Sequence, residues 1–157
     1  MTSGYILDTN IFNRILDAGI ESFALGNGVE VYITHVQKNE LAATKTPERR
    51  SRLLEVLHTI DPAQIPTESA IWDVSEWDNA KWPKDDGLFD TILDTLDSRN
   101  DRKCNNKQDV LIAETAIRNG LILVTEDRKL AQIVSELGGK SVGFKELLQS
   151  SGPTARI

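Results

Sequence analysis

The sequence predicts an α/β fold, a three-layer α/β/α sandwich around a central parallel sheet. Short apolar, β-favouring runs alternate with helically spaced segments, as in Gly4–Leu7 followed by Ile11, Phe12, Ile15 and Leu16. Two of the runs stop abruptly at polar, acidic triplets, Asp8-Thr9-Asn10 and Thr125-Glu126-Asp127. Strands that alternate with helices imply a parallel sheet, because parallel neighbours need crossover connections. No internal repeat or composition break divides the chain, so residues 1–150 read as one domain and residues 151–157 as a loose tail.

In chain order, the first strand is Gly4–Leu7, and helical spacing then runs from Ile11 to Leu16, with Ile20 and Phe23 beyond Gly19. Gly26-Asn27-Gly28 makes a turn into a strand at Val29–Ile33. Thr34 is placed as the N-cap of a helix through Val36, Leu41 and Ala42, and a further helix is expected near Glu48 to Leu57. The middle, Asp61 to Gly87, is irregular. It carries Pro62, Pro66, Pro83 and the tryptophans Trp72, Trp77 and Trp82, with a helix expected over Ser69–Asn79. These tryptophans read as packing of a helical flap on the core, or alternatively as a stacking surface. Leu88, Phe89, Ile92, Leu93 and Leu96 mark an amphipathic helix. After a polar loop at Asn100–Asn106, Val110 to Ile117 form another, ended by Asn119-Gly120. Leu121–Val124 is a strand, Leu130 to Leu137 a helix, Ser141-Val142 a short strand, and Lys145 to Gln149 a last helix.

A chain of 157 residues buries an adequate core without disulfides. Its single cysteine, Cys104, excludes an internal disulfide and a thiolate zinc cluster. No apolar run reaches the ~20 residues that span a bilayer, and the opening residues lack a basic region followed by an apolar stretch. A cytoplasmic protein without membrane association is expected. The net charge of −6 shows no overall basic footprint for nucleic acid. A local basic rim or bound divalent cations reverse that sign locally.

The informative residues are acids at strand ends. Asp8 and Asp127 follow the two strands that end alike, at the sheet edge where open α/β sheets bind ligands. Asp109 lies in the first turn of the helix feeding the second of these strands, and Glu40 in the helix after the strand at Val29–Ile33. Each acid alone has a plain reading. Asp8 and Asp127 suit N-caps, Asp109 suits a helix dipole, and Glu40 suits a solvated helix face. Together, four converging carboxylates repel by about 4 kcal/mol per pair at 4 Å and an effective dielectric near 20, unless protonated or metal-bound. Oxygen ligands without His or Cys favour Mg²⁺ or Mn²⁺, and that chemistry suits phosphodiester hydrolysis.

The segments Tyr5–Phe12, Ile33-Thr34 through Asn39–Ala42, Asp109–Ala116 and Gly120–Asp127 occur in the order of the PIN-domain motifs, and the chain resembles that family over most of its length. In compact form it is similar to VapC-type toxins of toxin–antitoxin pairs. The resemblance implies an α/β/α sandwich and a Mg²⁺- or Mn²⁺-dependent endoribonuclease. It implies Asp8, Glu40, Asp109 and Asp127 as catalytic, metal-binding acids, with Asn10 and Thr125 as polar supports. Glu126 falls where the family varies, and Glu114 lies off the helical face of Asp109. The resemblance also implies an RNA substrate, a cognate antitoxin and a homodimer. Lys45, Arg49, Arg50 and Arg52 form one candidate RNA rim, which reads equally as a solvated helix face. Arg99, Arg102, Lys103 and Lys107 form a second basic patch.

Rival chemistries fit less well. A haloacid-dehalogenase phosphatase needs an Asp where Asn10 stands, and a receiver domain needs a strand-end Lys, whereas Lys129 falls inside a helix. No G-x-S-x-G elbow is present, and His35 reads as a helix-start residue. Two other classes stay open: a non-catalytic or partner-gated PIN-like interaction module, and a PIN nuclease of RNA processing without an antitoxin.

Overall fold

The computed structural model describes residues 4–18, 30–68, 87–100 and 106–150. The expected helix at Ser69–Asn79, the three tryptophans, Cys104 and the tail at 151–157 lie outside these residues. The elements are β1 (Gly4–Leu7), α1 (Thr9–Asp17), β2 (Glu30–Ile33), α2 (His35–Ala42), α3 (Pro47–Ile60), β3 (Ala63–Gln64), α4 (Leu88–Asn100), α5 (Asn106–Arg118), β4 (Ile122–Val124), α6 (Arg128–Glu136), β5 (Lys140–Val142) and α7 (Phe144–Ser150).

All strand pairs are parallel, in the order β3-β2-β1-β4-β5. The first strand is therefore the central one. The chain builds outward from it on one side through β2 and β3, then returns to build the other side through β4 and β5. The order reverses between β1 and β4, and a crevice at their carboxyl ends is where such sheets take ligands.

The two-residue period of β1 divides the core. Tyr5 and Leu7 join Ile11, Phe12, Ile15, Leu53, Val56, Phe144 and Leu147 on one face of the sheet. Ile6 points the other way, into Ile92, Leu96, Val110 to Ala113, Leu130, Ile133 and Val134. One sheet thus carries a helical layer and a core on each face, the α/β/α sandwich expected from the alternation.

Local chemistry sets the boundaries. Thr34 caps α2 as expected and closes a capping box with Gln37: the Val36 amide donates to Thr34 Oγ1 at 3.1 Å, and the Thr34 amide to Gln37 Oε1 at 2.9 Å. The side-chain Nε2 of Gln37 also donates to the Leu7 carbonyl at 2.9 Å, which ties the start of α2 to the end of β1. At the end of α5, Gly120 adopts φ 64. Its amide reaches Ile117 O at 3.3 Å and the Leu121 amide reaches Ala116 O at 2.9 Å, the paired bonds of a Schellman cap. The β3 strand was not foreseen, since its two exposed residues carry no alternation and it forms by pairing with Tyr32 and Ile33.

A Cβ added at Gly120 meets nothing within 4 Å, so substitution there tests backbone conformation alone. Gly120→Ala is expected to lower unfolding free energy by about 1 kcal/mol in urea denaturation, the cost of a left-handed conformation for a residue with Cβ. An unchanged midpoint would show that the cap is not strained by a side chain.

Candidate active site

The site is built around Asp8. Its backbone is extended, with φ −67 and ψ 154, because it ends β1 and caps α1 at once. The amide of Asp8 donates 2.9 Å to Val124 O, so the residue still belongs to the sheet, while its Oδ1 accepts the first helical amide, Thr9, at 2.8 Å. The other oxygen, Oδ2, accepts from Thr125 Oγ1 at 2.7 Å and from Asn10 Nδ2 at 3.1 Å. The side chain is almost fully buried.

Thr125 and Asn10 fix this carboxylate from two directions. Thr125 Oγ1 accepts the Asp127 amide at 3.0 Å, so the hydroxyl links Asp8 to the turn after β4. Asn10 Nδ2 also reaches Thr125 Oγ1 at 3.3 Å, and Asn10 Oδ1 accepts the Glu126 amide at 3.3 Å. The end of β4 is thereby clamped to the start of α1 by side chains from both.

Glu40 enters from α2. Its Oε1 accepts from Thr9 Oγ1 at 3.0 Å. Thr9 thus bridges the two acids, with its amide on Asp8 and its hydroxyl on Glu40. Sequence reasoning had not singled it out, although its place in the Asp8-Thr9-Asn10 triplet was the available signal. Asp127 is the N-cap of α6, with Oδ1 accepting the Lys129 and Leu130 amides at 3.0 and 3.2 Å. Asp109 is half-buried in the first turn of α5, a helix that packs against α2.

The electrostatics record a shortage of positive charge. Burial pushes the Asp8 carboxyl above its ordinary value, and the nearby Asp127 adds to this. Hydrogen bonds from Thr125, Thr9 and Asn10, all neutral groups, pull the other way. Burial likewise lifts Glu40 from 4.5 to about 7, against the Thr9 hydrogen bond, with the Asp8 charge contributing. Asp8 therefore feels the Asp127 charge, and Glu40 feels that of Asp8. Among the described residues, though, no group of three or more acidic, His or Cys side chains stands close enough to hold a metal ion. The residues present still fit a hard cation. Mg²⁺ keeps several waters and is commonly held by one or two carboxylates plus a substrate phosphate, and the donors around Asp8 are all oxygen.

The other sequence candidates have identifiable surroundings. Arg49 pairs with Asp17 at 2.9 Å and donates 2.9 Å to Asn13 Oδ1, which joins α3 to α1. Arg50 donates to the Thr44 carbonyl at 3.2 Å, while Lys45 and Arg52 are exposed. Arg99 pairs with Glu136 at 3.0 Å, Lys107 is exposed on α5, and Arg102 and Lys103 lie outside the described residues. Glu126 closes the start of α7, its Oε1 accepting the Phe144 amide at 3.2 Å. Glu114 is buried against Arg118 at 3.1 Å on α5. His35 is the buried first residue of α2. Among the described residues, no helix is long and apolar enough to cross a membrane.

The sequence matches no family model and no curated protein at a significant level. The structure does have known likenesses. A chain of VapBC2 from Rickettsia felis, solved bound to a DNA fragment from its promoter, aligns with a TM-score of 0.52 and 18% identity. The alignment covers 89% of this chain and 98% of that one. A chain of VapBC-1 from nontypeable Haemophilus influenzae aligns with a TM-score of 0.49 at 17% identity, covering 90% and 98%. For VapBC-5 from Mycobacterium tuberculosis the values are 0.47 and 20%, covering 90% and 97%. At these identities the first alignment bears on fold alone, and the fold is α/β and PIN-like.

The raised acids make stability depend on pH with a definite sign. The folded metal-free protein holds the Glu40 proton up to about 7, while the unfolded chain releases it near 4.5. The stability linked to this proton is present below pH 4.5 and is lost as pH rises through about 7. In chelator, melting temperature is expected to fall across that window, and Glu40→Gln should flatten the decline. Parallel pH profiles for both proteins would remove Glu40 as its source.

Proposed function

We propose that the protein is a metal-dependent endoribonuclease, the toxin of a toxin–antitoxin pair, with Asp8 at the centre of its active site. The observation that carries this reading is the buried Asp8 carboxylate at the sheet's reversal point, with Glu40 and Asp127 close enough to perturb it or be felt by it. Buried carboxylates that receive only neutral hydrogen bonds are poised for a cation, and a PIN-like fold supports the placement.

In this reading Asp8 and Glu40 hold Mg²⁺ or Mn²⁺, with Asp127 and Asp109 completing the acidic set when RNA is bound. The ion supplies Lewis-acid activation of the phosphate and a more acidic bound water. Thr125 and Asn10 position Asp8 by fixing both the rotamer and the lone pair left available. Thr9 keeps Asp8 and Glu40 in register, so neither carboxylate has to reorganise when charge develops at the phosphate. Glu40, with its pKa near working pH, can hold or release a proton at Oε2 or Oε1 as the cleft fills. The partners proposed are an RNA substrate, a cognate antitoxin that covers the cleft, and a second copy of the chain.

Purified protein should cut mixed cellular RNA with Mg²⁺ or Mn²⁺ and fail to cut in chelator. Asp8→Asn should lower cleavage by at least a hundredfold, yet unfold cooperatively at or slightly above the wild-type midpoint. The substitution keeps an N-cap acceptor and removes a buried charge. Normal cleavage by the variant would displace Asp8 from the chemistry. If wild-type protein bound RNA but left it intact with every metal, a partner-gated or non-catalytic module would replace the nuclease.

A further inference from the structure

We propose that the cleft between α1, the start of α6 and the β5–α7 turn binds the phosphodiester backbone of the RNA strand beside the cleaved bond. The inference rests on the nuclease reading for the identity of the strand, and on independent features for its path.

The cleft holds about 500 Å³ and begins at Thr125, the residue whose hydroxyl grips Asp8. It is lined by Arg14, Arg128 and Lys145, three exposed cations in a chain whose net charge is −6. Among the described residues, neither Arg128 nor Lys145 has an ion-pair partner. Arg14 lies 5.6 Å above the Phe144 ring, which holds the guanidinium at the cleft wall. Its acidic neighbour Asp17 is already paired with Arg49. The two acids in the lining are engaged with backbone: Glu126 accepts the Phe144 amide and Glu146 the Gly143 amide, at 3.2 and 3.0 Å. Ser141 also lines the wall, and its buried hydroxyl oxygen has no hydrogen-bond partner among the described residues.

The position relative to Asp8 selects a polynucleotide over a small anion. Asn10 touches Asp8, and Arg14 stands one helical turn further along the same face of α1, ~6 Å at 1.5 Å per residue. That is the scale on which successive phosphates of a strand follow one another. A scissile phosphate at Asp8 would set its neighbour over the cleft. Phe144 is buried beneath Arg14 and offers no face for base stacking, so the contact is with sugar and phosphate and is indifferent to sequence. By contrast, Arg49 and Arg50 on α3 are held by Asp17, Asn13 and Thr44.

The test uses full-length Asp8→Asn protein, so that RNA survives, with a fluorescently labelled single-stranded oligoribonucleotide of mixed sequence in Mg²⁺. Anisotropy titrations across a salt series compare it with the same protein carrying Arg128→Gln and Lys145→Gln. Affinity should fall at least tenfold. The slope of log K against log salt should become shallower by roughly 1.4, two phosphate contacts at ~0.7 each. Both side chains are exposed, and thermal melts confirm folding. Unchanged affinity and slope overturn the proposal, as does a loss found only in Lys45→Gln with Arg52→Gln, which moves the strand to the start of α3. Weakened binding to an acidic partner protein with RNA affinity intact also overturns it. Wild-type cleavage assayed in parallel separates the two readings. Cutting with an unaltered slope in the variant defeats the cleft alone. Absence of cutting with the expected slope change defeats the nuclease and leaves the cleft.

Discussion

The structure turns on one carboxylate that is buried and kept in a fixed orientation with, among the described residues, only neutral groups bonded to it. Asp8 sits at the end of the central strand, and every element that meets there is shaped by holding it. The amide of Asp8 continues the ladder to β4, its side chain starts α1, and Thr125 and Asn10 close on it from the two sides of the sheet's reversal point. Burial of an ionised group costs several kcal/mol unless it is compensated. Three neutral donors compensate only in part, which is why the pKa stays raised.

Asp127 is held differently from Asp8, since its Oδ1 takes two helical amides at the start of α6. Asp8 is also an N-cap, so capping and function are not competing explanations for it. The cap fixes one oxygen on Thr9, and the second oxygen carries the polar contacts that orient the group. A helix start after a parallel strand is thus a cheap place to pin a carboxylate, because the backbone geometry that ends the strand is the geometry that begins the helix.

Legibility in the sequence followed the range of the interaction. Elements coded by local chemistry were readable: the Thr34 cap, the Asn119-Gly120 stop, the two-residue period of Gly4–Leu7 and the helical spacing after it. The strand at Ala63–Gln64 was not, because two exposed residues hold no pattern and pairing with β2 creates them. In the site, the strand-end position made Asp8 and Asp127 visible, but not the connection between them through Thr125, 117 residues from Asp8. Thr9 and Glu40 are 31 residues apart, and their bond depends on how α2 is docked by Gln37 on Leu7 O. Charge counted along α3 does not reveal that Arg49 pairs with Asp17 and Asn13, and Arg14, Arg128 and Lys145 are scattered in sequence and meet only in the fold.

The same arrangement bears on how an acidic chain could take the polyanionic substrate proposed for it. Burial pushes Asp8 and Glu40 towards protonation, so these two repel a phosphate less than the composition suggests. In the proposed nuclease Asp8 and Glu40 would hold a divalent ion, and coordination would offset the cost of burying them. Beside Thr125, Arg14, Arg128 and Lys145 share their cleft with Glu126 and Glu146, each of which accepts a backbone amide. In the proposed reading, attraction for a strand would rest on Arg14, Arg128 and Lys145, and the capacity to cut it on Asp8 and Glu40. Each can be weakened without the other, and the fold's central strand is what keeps the two in register.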